Sequence, residues 1–197
     1  MPDLKTGILA PKFKLPDQNG DVKSLADFGS KHVVLYFYPK DLTPGCTLEA
    51  QEFSKKAAAF KKLDAEVVGI SGGDSDSKQK FCKKHNLKIT LLADEEFAIA
   101  KKFGAFGKKQ FMGKTYNGIM RKTFVLNSSG KIVHIYPEVT PAGHADEVLK
   151  FLSQIGKKTE KGRNAVAAES PKHRKRVTKV MTRSKAGQAK QAARASR

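Results

Sequence analysis

The stretch VVLYFYPKDLTPGCTLEAQEF, residues 33–53, decides how the rest of the chain is read. Residues 33–38 form a short apolar run of a strand's length. Pro39, Thr43, Pro44 and Gly45 then make a loop, and Cys46 stands where a helix begins. From residue 49 to 63, Ala50, Phe53, Ala57, Phe60 and Leu63 recur at intervals of three and four, which predicts one face of a helix. A thiol in the first turn of a helix meets the positive end of the macrodipole and backbone N–H groups without partners, and both favour a thiolate. The same cysteine also fits a small residue filling space at a strand-to-helix turn. Position alone leaves the two readings open.

Further strand-like runs lie at 66–71, 123–127 and 131–136, the last two joined by Ser128-Ser129-Gly130 as a hairpin. Shorter helices are expected at about 75–85, 95–103 and 142–155. Strands alternating with helices, then a closing hairpin and a final helix, predict an α/β domain with a mixed central β-sheet flanked by helices. That domain is expected to cover residues 1–155, with Gly156 capping the last helix.

Charge divides the chain at the same place. Residues 156–197 hold 14 Lys/Arg against Glu160 and Glu169, a net of +12, whereas the first 155 residues carry only +7 of the total +19. Beyond Lys157 the sizeable apolar residues are Val166, Val177, Val180 and Met181, too few to offset the entropy of ordering, so a disordered basic tail is expected. No apolar run approaches the roughly 20 residues of a membrane span. The first residues read as neither a secretory nor a transit segment. Two cysteines without such a segment point to a reducing compartment, where pairing between them is catalytic.

The loop in "FYPKDLTPGCTLEA", with Pro39-x3-Thr43-x2-Cys46, resembles the active-site signature of the peroxiredoxins, and within them the Q type, or bacterioferritin comigratory proteins. The resemblance runs from "APKFKLPDQNG" through "FGAFGKKQFMGKTYNGIMRKTFVLN" to the final helix, roughly residues 4–155, and omits the tail. It implies a thioredoxin-like fold in which the Cys46 thiolate attacks a peroxide oxygen, leaving a sulfenic acid and releasing water or an alcohol. Nucleophilicity falls with thiol pKa, so an acidic cysteine is not enough. The remaining acceleration comes from holding the peroxide in line and stabilising charge on the leaving oxygen. By the same resemblance Thr43 and the Cys46 backbone N–H offer hydrogen bonds to the peroxide. Arg121 pairs with the thiolate, Pro39 shields it from water, and Glu49 orients a cation or a proton.

Many Q-type enzymes carry a second, resolving cysteine five residues after the first; here that position is Gln51. Others carry it on the next helix, which makes Cys82 the candidate for an intramolecular disulfide recycled by a thioredoxin-type dithiol reductant. Lys78, Gln79, His85 and Asn86 lie three and four residues from Cys82, which predicts a wet helical stripe with Lys78, Lys83 and Lys84 favouring a thiolate. The alternative is a spare thiol in a one-cysteine enzyme.

The five histidines show no metal-ligand spacing, and no cofactor is implied. Gly72-Gly73 reads as a turn rather than a phosphate loop. In the tail, Lys172, Arg174, Lys175 and Arg176 form a compact cluster read as a nuclear localisation signal, with an import receptor or nucleic acid as partner; without it the location is the cytoplasm. A solvated tail is the plain alternative, and with Phe151 the last aromatic residue the tail offers no base stacking. The chain is expected to act as a monomeric peroxidase. The competing reading is a redox-sensing or holdase module that binds chromatin or other polyanions.

Overall fold

The structure, a computed structural model, describes residues 4–29, 31–111 and 113–168. Its elements run β1 (Lys14–Pro16), β2 (Val22–Ser24), a single 3-10 turn (Leu25–Phe28), β3 (His32–Phe37), α1 (Pro44–Lys55), α2 (Ala57–Lys62), β4 (Ala65–Ser71) and α3 (Ser75–His85). They continue with β5 (Thr90–Ala93), α4 (Ala98–Lys102), β6 (Phe106–Phe111), β7 (Lys114–Ile119), β8 (Lys122–Leu126), β9 (Ile132–Tyr136) and α5 (His144–Ala168). The chain divides into two units, one through Phe151 and one from Leu152, so α5 belongs to both.

A five-stranded sheet in the order β5-β4-β3-β8-β9 organises the first unit. Strands β3, β4 and β5 are parallel, with α1 and α2 crossing from β3 to β4 and α3 from β4 to β5; β8 and β9 join antiparallel. This is the expected mixed sheet. Because β3 is central, both its faces are buried. Leu35 and Phe37 point to one side and pack with Phe13, Val68, Ile70, Phe103 and Phe124. Tyr36 and Tyr38 alternate to the other side, where Tyr36 stacks on Phe53 of α1 (4.8 Å) and Tyr38 meets Phe81 of α3 (6.2 Å). Gly69, paired with Tyr36 across β3 and β4, makes room for that ring: a Cβ there would stand 2.6 Å from Tyr36 Cζ and 2.7 Å from Leu91 Cδ2.

Four expectations change. The single helix over 49–63 starts earlier, at Pro44, and is broken at Lys56, where ψ is 6°. Phe53 and Phe60 both stay buried across the break, with rings 5.8 Å apart, so the apolar repeat gives no sign of it. The helix over 95–103 shrinks to α4 because Phe97 takes a left-handed φ of 57° and the Asp94 carboxylate caps the Ile99 and Ala100 N–H groups. Gly156 does not end the last helix, which continues to Ala168; one interior glycine costs only about 1 kcal/mol, and Lys157, Lys158, Glu160 and Lys161 are good helix formers. The β1–β2 and β6–β7 hairpins were not expected at all, since polar residues interrupt both. The basic cluster at Lys172, Arg174, Lys175 and Arg176 lies outside the described residues. Among the described residues, no helix is long and apolar enough to cross a membrane.

Candidate active site

Two chain connections bring the site together. Strand β3 delivers the loop before α1, and β8 runs antiparallel to β3 with Lys122 opposite Phe37. Arg121, one residue before Lys122, therefore arrives at the end of β3 where that loop begins. Thr43 is the extended N-cap of α1 and Pro44 its first residue, where proline's missing N–H costs nothing. The first helical bond runs from the Thr47 N–H to the Thr43 carbonyl (2.8 Å), so the Cys46 N–H precedes the ladder, and the Thr43 side chain does not cap it.

Cys46 is 1% exposed and a free thiol. Arg121 Nη2 donates to Cys46 Sγ at 3.3 Å, while Arg121 Nη1 donates to Glu49 Oε2. Cys46 and Glu49 are three residues apart on α1 and so share a face, which lets one guanidinium fork engage both. The guanidinium also lies over Gly45, whose ideal Cβ position is 3.5 Å from Nη2 and 3.4 Å from Pro141. The Glu49 side chain is fully buried, and its Oε1 has no partner. Burial pushes its carboxyl up to about 7, against the opposing pull of Arg121. The expectation that Glu49 orients a cation thus coincides with a direct ion pair.

The other expected residues are placed less simply. Thr43 Oγ1 donates to the Lys40 carbonyl at 3.0 Å, so its proton is engaged and its lone pairs remain free. Pro39 is half-buried and lines a cleft of about 350 Å³ with Lys40, Asp41, Leu42, Gly72, Gly73, Ser77 and Phe97. Cys82 sits on α3 as a half-buried free thiol. The wet-stripe reading of its surroundings fails at Lys78, which is 0% exposed with its Nζ bound to Asp41 Oδ2 at 2.7 Å, whereas Gln79 and His85 are half-buried and Asn86 is exposed. Burial first, and then the Asp41 charge, push the Cys82 thiol up to about 11, with Lys78 only partly opposing them. Gln51, at the position of the missing second cysteine, places Nε2 3.3 Å from His85 Nδ1 and so ties α1 to α3.

Sequence reading missed two groups near the site. Lys109 on β6 donates to the Ile119 carbonyl (2.9 Å), close enough to Arg121 for burial and that positive charge to lower its pKa. Only recognition of the β6–β7 hairpin could have found it. His144, at the start of α5, is 2% exposed, with Nε2 2.9 Å from Thr123 Oγ1 and Nδ1 3.1 Å from Glu147 Oε2. Burial keeps its pKa low. No group of three or more His, Cys, Asp or Glu side chains suited to a metal ion occurs among the described residues.

The AhpC/TSA family model matches residues 6–135. Peroxiredoxin Bcp of Escherichia coli K12 is 42% identical over 154 residues, covering 78% of this chain and 99% of the relative. Peroxiredoxin Bcp of Bacillus subtilis is 37% identical over 155 residues, 79% and 99% of the two chains. Among solved structures, the Xanthomonas campestris bacterioferritin comigratory protein, described with its alkyl peroxide reduction activity, superposes with a TM-score of 0.69 at 33% identity over 73% of this chain and 92% of that one. A cysteine-to-serine mutant of Xylella fastidiosa PrxQ gives 0.73 at 30% identity, over 78% and 98%. The fold is thioredoxin-like, as the sequence resemblance implied.

The Glu49 carboxyl titrates at about 7 in the folded chain against an ordinary 4.5, so it holds its proton longer when folded. Its stabilising effect is therefore complete below 4.5 and is lost as pH rises through about 7, a cost on the order of 3 kcal/mol at pH 8. Glu49→Gln removes this titration. In urea unfolding the variant is expected to match wild type near pH 4 and exceed it near pH 8; a wild-type advantage that grows with pH would contradict the assignment.

Proposed function

Since the chain belongs to the AhpC/TSA family and is a thiol-dependent peroxidase, we propose that Cys46 is its peroxidatic thiol, with Arg121, Glu49 and Thr43 as the groups that position thiolate and peroxide. The observation that carries this reading is the Arg121 fork, one nitrogen on Cys46 Sγ and the other on Glu49. A guanidinium so held stays charged and aimed while the thiolate's own charge moves onto oxygen.

In the first step Cys46 sulfur attacks one peroxide oxygen and the O–O bond breaks. The Cys46 sulfenic acid forms, and the other oxygen leaves with a proton as water or an alcohol. The Cys46 N–H and Arg121 donate to the peroxide oxygens. Thr43, whose hydroxyl donates to the Lys40 carbonyl, accepts from the peroxide O–H. Pro39 limits water on the loop side. Hydrogen peroxide and organic hydroperoxides are the substrates, the latter in line with the alkyl peroxide reduction described for the Xanthomonas relative.

Cys82 resolves the sulfenic acid by forming a disulfide with Cys46, and a thioredoxin-type dithiol restores both thiols by exchange. Its high thiol pKa keeps it inert in the resting state, which suits a thiol that acts only after the first has been oxidised. Cys46 is buried, and a disulfide needs Cα atoms within about 7 Å, so the first turn of α1 unwinds for this step. The chain works as a monomer. The basic cluster Lys172, Arg174, Lys175 and Arg176 serves as a nuclear address; its support is the charge pattern of the sequence.

Mass spectrometry after one equivalent of hydrogen peroxide is expected to find a Cys46–Cys82 disulfide in the wild type and a persistent Cys46 sulfenic acid in Cys82→Ser. If Cys82→Ser still turns over at the wild-type rate with thioredoxin, Cys82 is not the resolving residue. Deleting residues 169–197 is expected to change peroxide turnover by less than about twofold, since α5 is left whole. The same deletion should abolish nuclear accumulation of a fluorescent fusion in a eukaryotic cell; unchanged accumulation would remove the address reading.

A further inference from the structure

Lys78 stands one turn before Cys82 on α3, yet its side chain is completely buried. A lysine in that position needs full compensation. Its Nζ donates to Asp41 Oδ2 at 2.7 Å and to the Gly72 carbonyl. Asp41 belongs to the loop between β3 and α1, five residues before Cys46. Its carboxylate also accepts from Tyr38 Oη and from Ser77 Oγ, each at 2.6 Å. Two donor–acceptor contacts, from Lys78 and from Ser77, therefore join the helix that carries Cys82 to the loop that leads to Cys46, while Tyr38 braces Asp41 from the end of β3 and the Gly72 carbonyl satisfies Lys78 from its own side.

The loop is under tension at this point. Leu42, next to Asp41, has φ 60°, a left-handed conformation that a leucine resists, and the residue is 47% exposed, so its burial does little to hold it. Such a residue persists where its surroundings over-determine it. The Asp41 contacts supply that determination, and Tyr38 extends it into the sheet by stacking on Tyr36 (5.4 Å). The Tyr36 hydroxyl is buried without a partner and lies within electrostatic reach of both Cys46 and Cys82. Lys78 and Asp41 thus form a bolt between the two cysteine-bearing segments rather than a feature of one of them.

We infer that the buried Lys78–Asp41 ion pair, braced by Tyr38 and Ser77, is the latch that holds the Cys46 loop in its attack-competent form and sets the rate at which Cys82 closes the disulfide. The inference rests on the reading of Cys82 as the resolving thiol. In the gated step Cys82 sulfur bonds to Cys46 sulfur and the Cys46 S–O bond breaks. The oxygen departs as water with the sulfenic and thiol protons, and the peroxide already consumed is the only oxidant. While the latch holds, the sulfenic acid stays exposed to a second peroxide, which takes it to sulfinic acid. Lys78 is accordingly a positioning residue: it touches no substrate and acts through the loop.

Rapid quenching followed by mass spectrometry, with hydrogen peroxide as the probe, separates the steps. Lys78→Met is expected to raise the rate of disulfide formation about tenfold by enlarging a minor open population that still remains minor. Loss of the Cys46 thiol should stay within about twofold of wild type, because the closed loop still dominates. Ser77→Ala, which removes one brace and leaves the ion pair, is expected to raise disulfide formation about threefold, and it carries the test should Lys78→Met not fold. Asp41→Asn combined with Lys78→Met is expected to raise the rate at least as far as Lys78→Met alone, since the amide also loses an acceptor for Tyr38 or Ser77. The sulfinic fraction at high peroxide should fall in the same order. Disulfide formation in Lys78→Met and Ser77→Ala that is no faster than in wild type would overturn the latch while leaving Cys82 as the resolving thiol. Absence of any Cys46–Cys82 disulfide in the wild type would instead remove the resolving role, and the latch with it.

Discussion

One guanidinium, held between a thiol sulfur and a buried carboxylate, is the contact around which the first unit is arranged. Arg121 reaches Cys46 and Glu49 because β8 runs antiparallel to β3 and begins opposite Phe37. Any one-residue slip in that pairing would turn Arg121 away and move every neighbouring side chain of β8 to the opposite face. Register in the sheet and chemistry at the helix mouth are therefore one constraint. The aromatic packing of Tyr36 on Phe53 fixes the other side, since it sets α1 against β3 and so positions the turn that carries Cys46.

The buried charges near this contact cost stability rather than adding to it. Glu49 has an oxygen without a partner, and Lys78 and Asp41 are both removed from water. Apolar residues of similar size at such positions often leave a protein equally or more stable. What these groups give is geometry: Glu49 keeps Arg121 aimed, and Lys78 with Asp41 keeps the loop before α1 in a conformation that Leu42 resists. On the proposed reading, in which Cys46 is enclosed for attack and released for resolution, the loop has to be held but not locked.

Much of this was legible in the sequence because apolar periodicity reports burial directly. The run at 33–38 became β3, that at 66–71 became β4, and the helix at 75–85 appears with those same bounds. Arg121 came from the family resemblance of the stretch around residues 118–124, and nothing in the spacing near Cys46 or in composition points to it. The misreadings have separate causes; the one that matters for the second cysteine is a polar residue buried by a specific partner. Lys78 looks solvated in a string of lysines, and nothing local reveals that Asp41, 37 residues away, receives it. From that single error followed the wrong environment for Cys82. The β6–β7 hairpin was missed because its lysines interrupt the apolar alternation, and Lys109 was lost with it.

Arg121 is placed to act on the reacting sulfur and oxygen rather than merely to fill space over Gly45. Stopped-flow measurement of a single turnover of reduced enzyme with hydrogen peroxide, comparing wild type with Arg121→Ala and Arg121→Lys, tests this most directly. Loss of the fork is predicted to slow Cys46 oxidation by about a hundredfold or more, as for removal of an aimed charge-stabilising donor. Lysine should recover only a small part of the rate, because one ammonium cannot serve Cys46 and Glu49 together. A rate for Arg121→Ala within about threefold of wild type, in a variant that unfolds normally in urea, would contradict the account.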